Sequence, residues 1–426
     1  MEVSTGNSLK SQIQDIKIQG PTWDIDSEYA GFDSAEFKAD RAEVEAIAKE
    51  ISSHLTTQKA AMESMLRDGQ PLLECIQVLQ KVTLRQERAF VLSYNLSAYA
   101  SLVSSIDAGD ERAQRESANM SELISKVIAA GNFNLDMLRK QEAWTLSDAE
   151  EVMLAEFRQH GPDAWGRLYQ QISGEAKVQT ETMGEMGLAK AGALIFSGVE
   201  QERREAWQGI QRTWKTYQDS VAAVLNNLAG WRLQECKKRS VNKPMNFLSS
   251  PLMNSRIEQE TLEAMMSAVE QRKELVSRGL KIMAKRSGKT KLDPWDLLAP
   301  LPETGKEPRR FAYDEGLKMV RSTFASLDPQ MGEFIDLMDK NKWIDGRVLP
   351  RKRTGAFCSG FAKSNTPRVF QTYMGSLKDV STLAHELGHA FHSWVMRDMP
   401  ISQMEYPMTL AETASIFAET AMSDEL

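Results

Sequence analysis

The chain has 426 residues, 42% hydrophobic and 26% charged, an ordinary balance for a folded protein long enough for two or three cores. Its 52 basic and 59 acidic side chains give a net charge of −7. That excludes nucleic acid as the main partner, because phosphate binding needs a basic face.

No apolar run approaches the length needed to cross a bilayer, so no membrane partner is expected. The first residues, Met1 to Asn7, lack the basic and apolar parts of a secretion signal. Cys75, Cys236 and Cys358 are odd in number and far apart, which fits neither a disulfide framework nor a CxxC metal site. A cytoplasmic location is the expectation.

The pattern along the chain is mainly helical. Residues 1–34, spotted with Trp23, Tyr29 and Phe32, read as an extended lead-in. Val44, Ile47, Ile51 and Leu55 then fall at helical spacing, and a further helix covers about 72–103. Ser147 and Glu150 have the form of a capping box opening another helix. Glycine and polar residues thicken around 165–195, which places the division between an N-terminal helical domain, 1–195, and a second domain, 196–426.

In the second part, Ala206, Ile210, Trp214, Tyr217, Val221, Leu225, Leu228 and Trp231 step by three or four through one long helical pattern. Leu262, Met265, Val269, Val276, Leu280 and Met283 form a second. Residues 286–310, rich in Pro, Gly and Lys, read as irregular. Two short Gly-bounded segments, Arg353 to Gly360 and Arg368 to Tyr373, break the helical rule. They read as strands of a small sheet, with Asn365-Thr366-Pro367 as the turn between them.

The chemistry gathers after those strands. Three of the chain's five histidines lie within eight residues, in His385-Glu386-Leu387-Gly388-His389-Ala390-Phe391-His392. An HExxH arises by chance in roughly one chain in 200 of this composition, so its setting decides what it means. Ser376 can cap a helix with Asp379 in its first turn, and Val380, Leu383, Leu387, Ala390 and Trp394 form its buried stripe. Spacing of i, i+4 puts His385 and His389 on one face, where both imidazoles can reach one zinc ion. Glu386 sits about 100° round the helix, free to take a proton from water at the metal as general base. His392 is about 10 Å of axial rise beyond His385, too far to share the ion, so a place in the pocket or behind the ligands is expected.

Two imidazoles leave zinc one protein ligand short. Glu405, Glu412 and Glu419 follow His389 within reach of a second, antiparallel helix. Glu412 is the choice, although Thr409-x-x-Glu412 is itself a capping box that explains the glutamate without zinc. Glu419, two turns on, is placed to orient a ligand imidazole. Gly388 inside the helix costs about 1 kcal/mol relative to alanine, which a close approach of backbone or substrate would justify. Gly355, Ala356 and Phe357 are the candidate strand edge on which a peptide main chain could pair.

HELGHAFH over His385 to His392, then Tyr406-Pro407 and Ala411-Glu412-Thr413-Ala414-Ser415, resembles the M3 family of metallopeptidases, in its oligoendopeptidase F branch. Asp296 to Pro300, Arg353 to Gly360 and the Thr22-Trp23-Asp24 lead-in support the resemblance, which is specific from about residue 290. It implies a mainly α, two-lobed zincin-like peptidase with a small β-sheet beside the active-site helix. One Zn2+ per chain would lie at the floor of a channel, held by His385, His389 and Glu412, with Glu386 as general base.

The implied activity is hydrolysis of internal bonds in oligopeptides in the cytoplasm. Members of the family continue past the position of Leu426 with a helical stretch whose His and Tyr side chains stabilise the oxyanion. This chain stops inside a helical pattern without a stop signal, as a truncated catalytic domain would. Two other readings stand beside the endopeptidase. One is a zinc-binding helical fragment with impaired catalysis, and the other is a different zincin such as an aminopeptidase.

Overall fold

The computed structural model describes residues 20–50, 72–128, 143–300, 309–399, 404 and 406–425. Ile51, Leu55, Glu405 and part of the irregular 286–310 segment lie outside them. Cys75 falls within a described helix, but its side chain is not described.

The fold is mainly α. Residues 20–34 of the lead-in pack without helix or strand, and Trp23 and Tyr29 are buried. Helix α1 covers 35–50, followed by α2 (Leu72–Ile106), α3 (Glu111–Ile128), α4 (Asp148–His160) and α5 (Pro162–Glu175). The capping box of α4 forms as its sequence suggests, with the Ser147 N–H donating to Glu150 at 3.1 Å.

Helix α2 qualifies the reading of apolar runs. Its Glu87–Ile106 stretch is long and apolar enough to cross a membrane by length and composition. Here Leu92, Leu96 and Leu102 are buried in a core cluster shared with Phe37, Val44, Phe361 and Phe370. The run is thus accounted for as a core helix.

Residues 165–195 hold a small hairpin that their polar, Gly-rich composition does not announce. Strands β1 (Lys177–Gln179) and β2 (Glu185–Gly187) pair antiparallel, and α6 (Leu188–Leu194) follows. Val178 and Met186 are opposite one another and buried, the period-two signal compressed into three residues a side.

The long pattern from Ala206 to Trp231 is two helices, α7 (Glu200–Thr216) and α8 (Gln218–Arg239), broken at Tyr217. After the short α9 (Ser249–Ser255), the second pattern is likewise divided at Arg272 into α10 (Gln259–Gln271) and α11 (Lys273–Arg286).

The last third positions the site. Helices α12 (Tyr313–Leu327) and α13 (Pro329–Lys340) lead into β3 (Ile344–Asp345), β4 (Phe357–Phe361) and β5 (Thr366–Phe370). The sheet order is β3-β5-β4, with β3 parallel and β4 antiparallel to β5. The two expected strands form, but the turn between them closes at Asn365, which adopts a positive φ of 53°. Thr366 and Pro367 belong to β5.

Buried Lys352 ties this region together, donating to Asp345 at 2.6 Å and to the Gln371 carbonyl at 2.6 Å. Arg368, also buried, holds the lead-in to the sheet through the Asp24 carbonyl at 2.9 Å. Helices α14 (Leu377–Val395) and α15 (Met408–Glu425) complete the described chain.

Candidate metal centre

Helix α14 starts where its capping chemistry predicts. The Asp379 N–H donates to Ser376 Oγ at 3.1 Å, and the Ser376 N–H donates back to the Asp379 carboxylate at 2.8 Å. Val380, Leu383, Ala384, Leu387 and Ala390 are buried in the core formed with α12 and α13. That fixes the rotation of the helix and turns His385 and His389 toward α15.

Helix α15 runs antiparallel to α14, since Lys378 and Ser381 meet Glu419 while His389 meets Glu412. The approach is close. A Cβ on Gly388 would lie 2.7 Å from Ala418 Cβ and 2.9 Å from the Ala414 carbonyl oxygen. The glycine inside the HExxH is therefore explained by the backbone of α15.

Glu412 Oε2 lies 3.4 Å from His385 Nε2 and 3.7 Å from His389 Nε2. A tetrahedral zinc with bonds of about 2.05 Å holds its ligand atoms about 3.3 Å apart, so these three side chains fit that ion. The capping-box explanation of Glu412 falls away. Thr409 is inside the helix, and its hydroxyl donates to the Ser255 carbonyl at 3.0 Å. The Ser415 hydroxyl donates to Glu412 at 2.9 Å and steadies its carboxylate.

Glu419 stands behind His385. Its carboxylate is 3.2 Å from His385 Nδ1 and accepts from Ser381 at 2.8 Å and Lys378 at 3.0 Å. Burial raises its pKa, but the hydrogen bonds from Lys378, Ser381 and His385 outweigh that and hold it below the usual range. A charged Glu419 favours the His385 tautomer with its proton on Nδ1, leaving the Nε2 lone pair toward Glu412. Burial also lowers the pKa of His389, with the neighbouring His385 and His392 adding to the effect against Glu412. A neutral imidazole is the form that ligates.

Glu386, next to His385 on α14, is 6% exposed. Burial, with the Glu412 charge, pushes its pKa up to about 8, while the Cys358 backbone N–H pulls the other way. A carboxyl poised near neutrality is suited to accept and return a proton.

The sheet register accounts for that N–H. Val369 and Gln371 donate their N–H groups to Trp343 and Asp345, away from β4, and Pro367 has none to give. Their partners therefore point their own backbone groups outward along the free edge of β4, namely Cys358 opposite Val369 and Gly360 opposite Pro367. Extending the alternation back one pair turns Ala356 outward and Phe357 inward. Phe357 stacks on Phe370 at 4.7 Å, and Gly355 takes a positive φ of 94° just before the strand.

His392 packs on the Tyr406 ring at 4.5 Å, and its buried Nδ1 has no protein partner among the described residues. A second group of acidic side chains, Glu200, Asp293 and Asp296, encloses Lys289, whose ammonium contacts all three. The Lys289 ammonium stands where a cation would sit, so that group is not a rival centre.

The model of peptidase family M3 matches residues 194–426. The chain belongs to peptidase family M3. Among relatives, Group B oligopeptidase PepB of Streptococcus agalactiae serotype III (strain NEM316) is 28% identical over 235 residues, covering 55% of this chain and 38% of that protein. Oligopeptidase PepF of Bacillus subtilis (strain 168) is 22% identical over 300 residues, covering 68% of this chain and 44% of that protein. The chain thus spans about two-fifths of the length of these relatives.

Two solved structures share the M3 chain's fold. PZ peptidase A with inhibitor 2 has a TM-score of 0.68 at 16% identity, covering 90% of this chain and 67% of that one. Oligoendopeptidase-F from Enterococcus faecium has a TM-score of 0.53 at 18% identity, covering 91% of this chain and 67% of that one.

Proposed function

We propose that this M3 chain carries the zinc-binding and proton-transfer machinery of an endopeptidase that cleaves oligopeptides. One observation carries the reading. His385 Nε2, His389 Nε2 and Glu412 Oε2 converge at ligand spacing, with the buried carboxyl of Glu386 beside them. His385, His389 and Glu412 would hold Zn2+, which supplies Lewis-acid polarisation of the scissile carbonyl and acidifies water.

The chain's own residues do the rest. Glu386 takes the proton from the attacking water and returns it to the leaving amine. The Cys358 N–H on the open edge of β4 favours its charged form, which associates the base with the strand edge on which a substrate main chain would lie. Glu419 keeps His385 in the ligating tautomer. The outward groups of β4 recognise backbone and not side chains, which suits short peptides of varied sequence. The names of the relatives, oligopeptidases PepB and PepF, point to the same substrate class.

The test is Glu386→Gln. Turnover of an N-terminally blocked peptide should fall at least about 10³-fold while stoichiometric zinc is retained by metal analysis. Retained turnover would remove Glu386 from the role of base. Failure to bind zinc in the parent chain would remove the whole reading. Blocked peptides also separate the endopeptidase from an aminopeptidase, which needs the free amine.

A further inference from the structure

Most of α10 and α11 stands clear of the rest of the described chain. Every residue from Glu263 to Ile282 is exposed, and so every side of the helices is. The two are joined through Arg272, whose φ of −108° and ψ of 8° lie near the helical region, so the second half runs on from the first with a bend. Together they make an arm about 40 Å long. Helices in proteins draw most of their stability from packing an apolar face, and among the described residues nothing covers the face of this arm.

That face has a repeat. Leu262, Met266, Val269, Lys273, Val276, Leu280 and Met283 alternate steps of four and three, the heptad spacing of a helix that pairs with another helix. Met266, Val269, Val276 and Leu280 are exposed, and Leu262 and Met283 are half-buried. The one polar member, Lys273, sits at the middle of the stripe, and a single lysine in such a seam fixes its register. Charge divides at the same point. Helix α10 carries Glu260, Glu263 and Glu270 with no basic residue, while α11 carries Lys273, Arg278, Lys281, Lys285 and Arg286 against Glu274. Among the described residues, the one ion pair these groups make is Lys273 with Glu270.

We propose that the α10–α11 arm pairs antiparallel with the same arm of a second copy of this chain, making a two-fold dimer. The charge division selects both the partner and the direction. An acidic half followed by a basic half is complementary to itself only when one copy is reversed. The two-fold axis then passes beside Lys273, whose ammonium already has Glu270. Leu262 of one copy faces Met283 of the other, Val269 faces Val276, and Glu260 and Glu263 lie beside Lys285 and Lys281. Gly279 flanks the seam and is not one of its members. A parallel pair would set glutamate beside glutamate. The apolar seam side chains, at roughly 60–100 Å² each, come to on the order of 500 Å² per copy, less than the ~800 Å² per partner of a standard interface, so a weak, micromolar pairing is expected.

The test is sedimentation velocity on the full chain from about 1 to 100 µM at low salt, where a monomer–dimer equilibrium should appear. Raising the ionic strength to about 0.5 M should weaken it. Val276→Glu places a charge in the seam and should weaken association at least about tenfold. Glu260→Lys with Glu263→Lys should do the same, and adding Lys281→Glu and Lys285→Glu to that chain should restore the dimer, because the halves are complementary again. Restoration also guards against a folding defect, which further substitutions would not repair. A chain that stays monomeric across the range overturns the proposal. So does a dimer that Val276→Glu and the charge reversal leave intact, since its contact lies on another surface. A dimer that strengthens with salt, or that the four charge changes together fail to restore, overturns the antiparallel arm pairing as well.

Discussion

Helices α14 and α10–α11 present the same signal in the sequence and opposite outcomes in space. Both carry apolar residues at steps of three and four. In α14 those residues are buried against α12 and α13. In α10 and α11 they face out, with Met265 57%, Val269 66% and Val276 63% exposed. Spacing dictates that a segment can be an amphipathic helix. It does not dictate that another element will cover the apolar face. Helix α14 is fixed because capping, core stripe and close helix contact agree on one rotation, whereas no described element supplies the third of these for the α10–α11 arm.

A glycine sits in each region, and the pair gives the sharpest way to break the comparison. Gly388→Ala forces a methyl group to 2.7 Å from Ala418 Cβ and into the backbone of α15. Overpacking of that kind should cost about 3 kcal/mol, visible as a lower midpoint in denaturant melts. It should also weaken zinc, because separating α14 from α15 moves Glu412 off the imidazoles. A Gly388→Ala chain as stable as the parent would mean that the two helices are not held this closely.

A smaller effect is expected one layer behind the ligands. Glu419→Gln keeps the shape but loses the charge that holds His385 by its Nδ1. Zinc affinity should fall about 10- to 100-fold, with Glu386 and the edge of β4 untouched. Titration with a competing chelator measures it. An unchanged affinity would make Glu419 merely a partner of Lys378 and Ser381.

The contrast also explains what is legible in the sequence. The proposed ligand pair, the proposed base and the cap of α14 are readable because each relation spans one helical turn, where spacing fixes geometry. Glu412 needs more. Its distance from His389 along the chain leaves a capping box open, and only the fold shows Thr409 bonded to Ser255 instead. The same limit applies to Gly388, whose cost points to a close approach without saying whether backbone or substrate makes it. Strand β3 and the β1–β2 hairpin, at two or three residues a strand, are shorter than any period that could announce them.

The last comparison concerns Gly279, midway along α11. A Cβ added there would meet nothing within 4 Å, in contrast to the crowding at Gly388. With no steric cost, Gly279→Ala keeps only the gain in helix propensity and the loss of unfolded-state freedom, about 0.5–1 kcal/mol of added stability. Zinc content and peptide turnover should not change. The sign matters more than the size. If Gly279→Ala destabilised the chain, this face of α11 would have to be packed in solution, and the division between a covered α14 and a bare arm would no longer hold there.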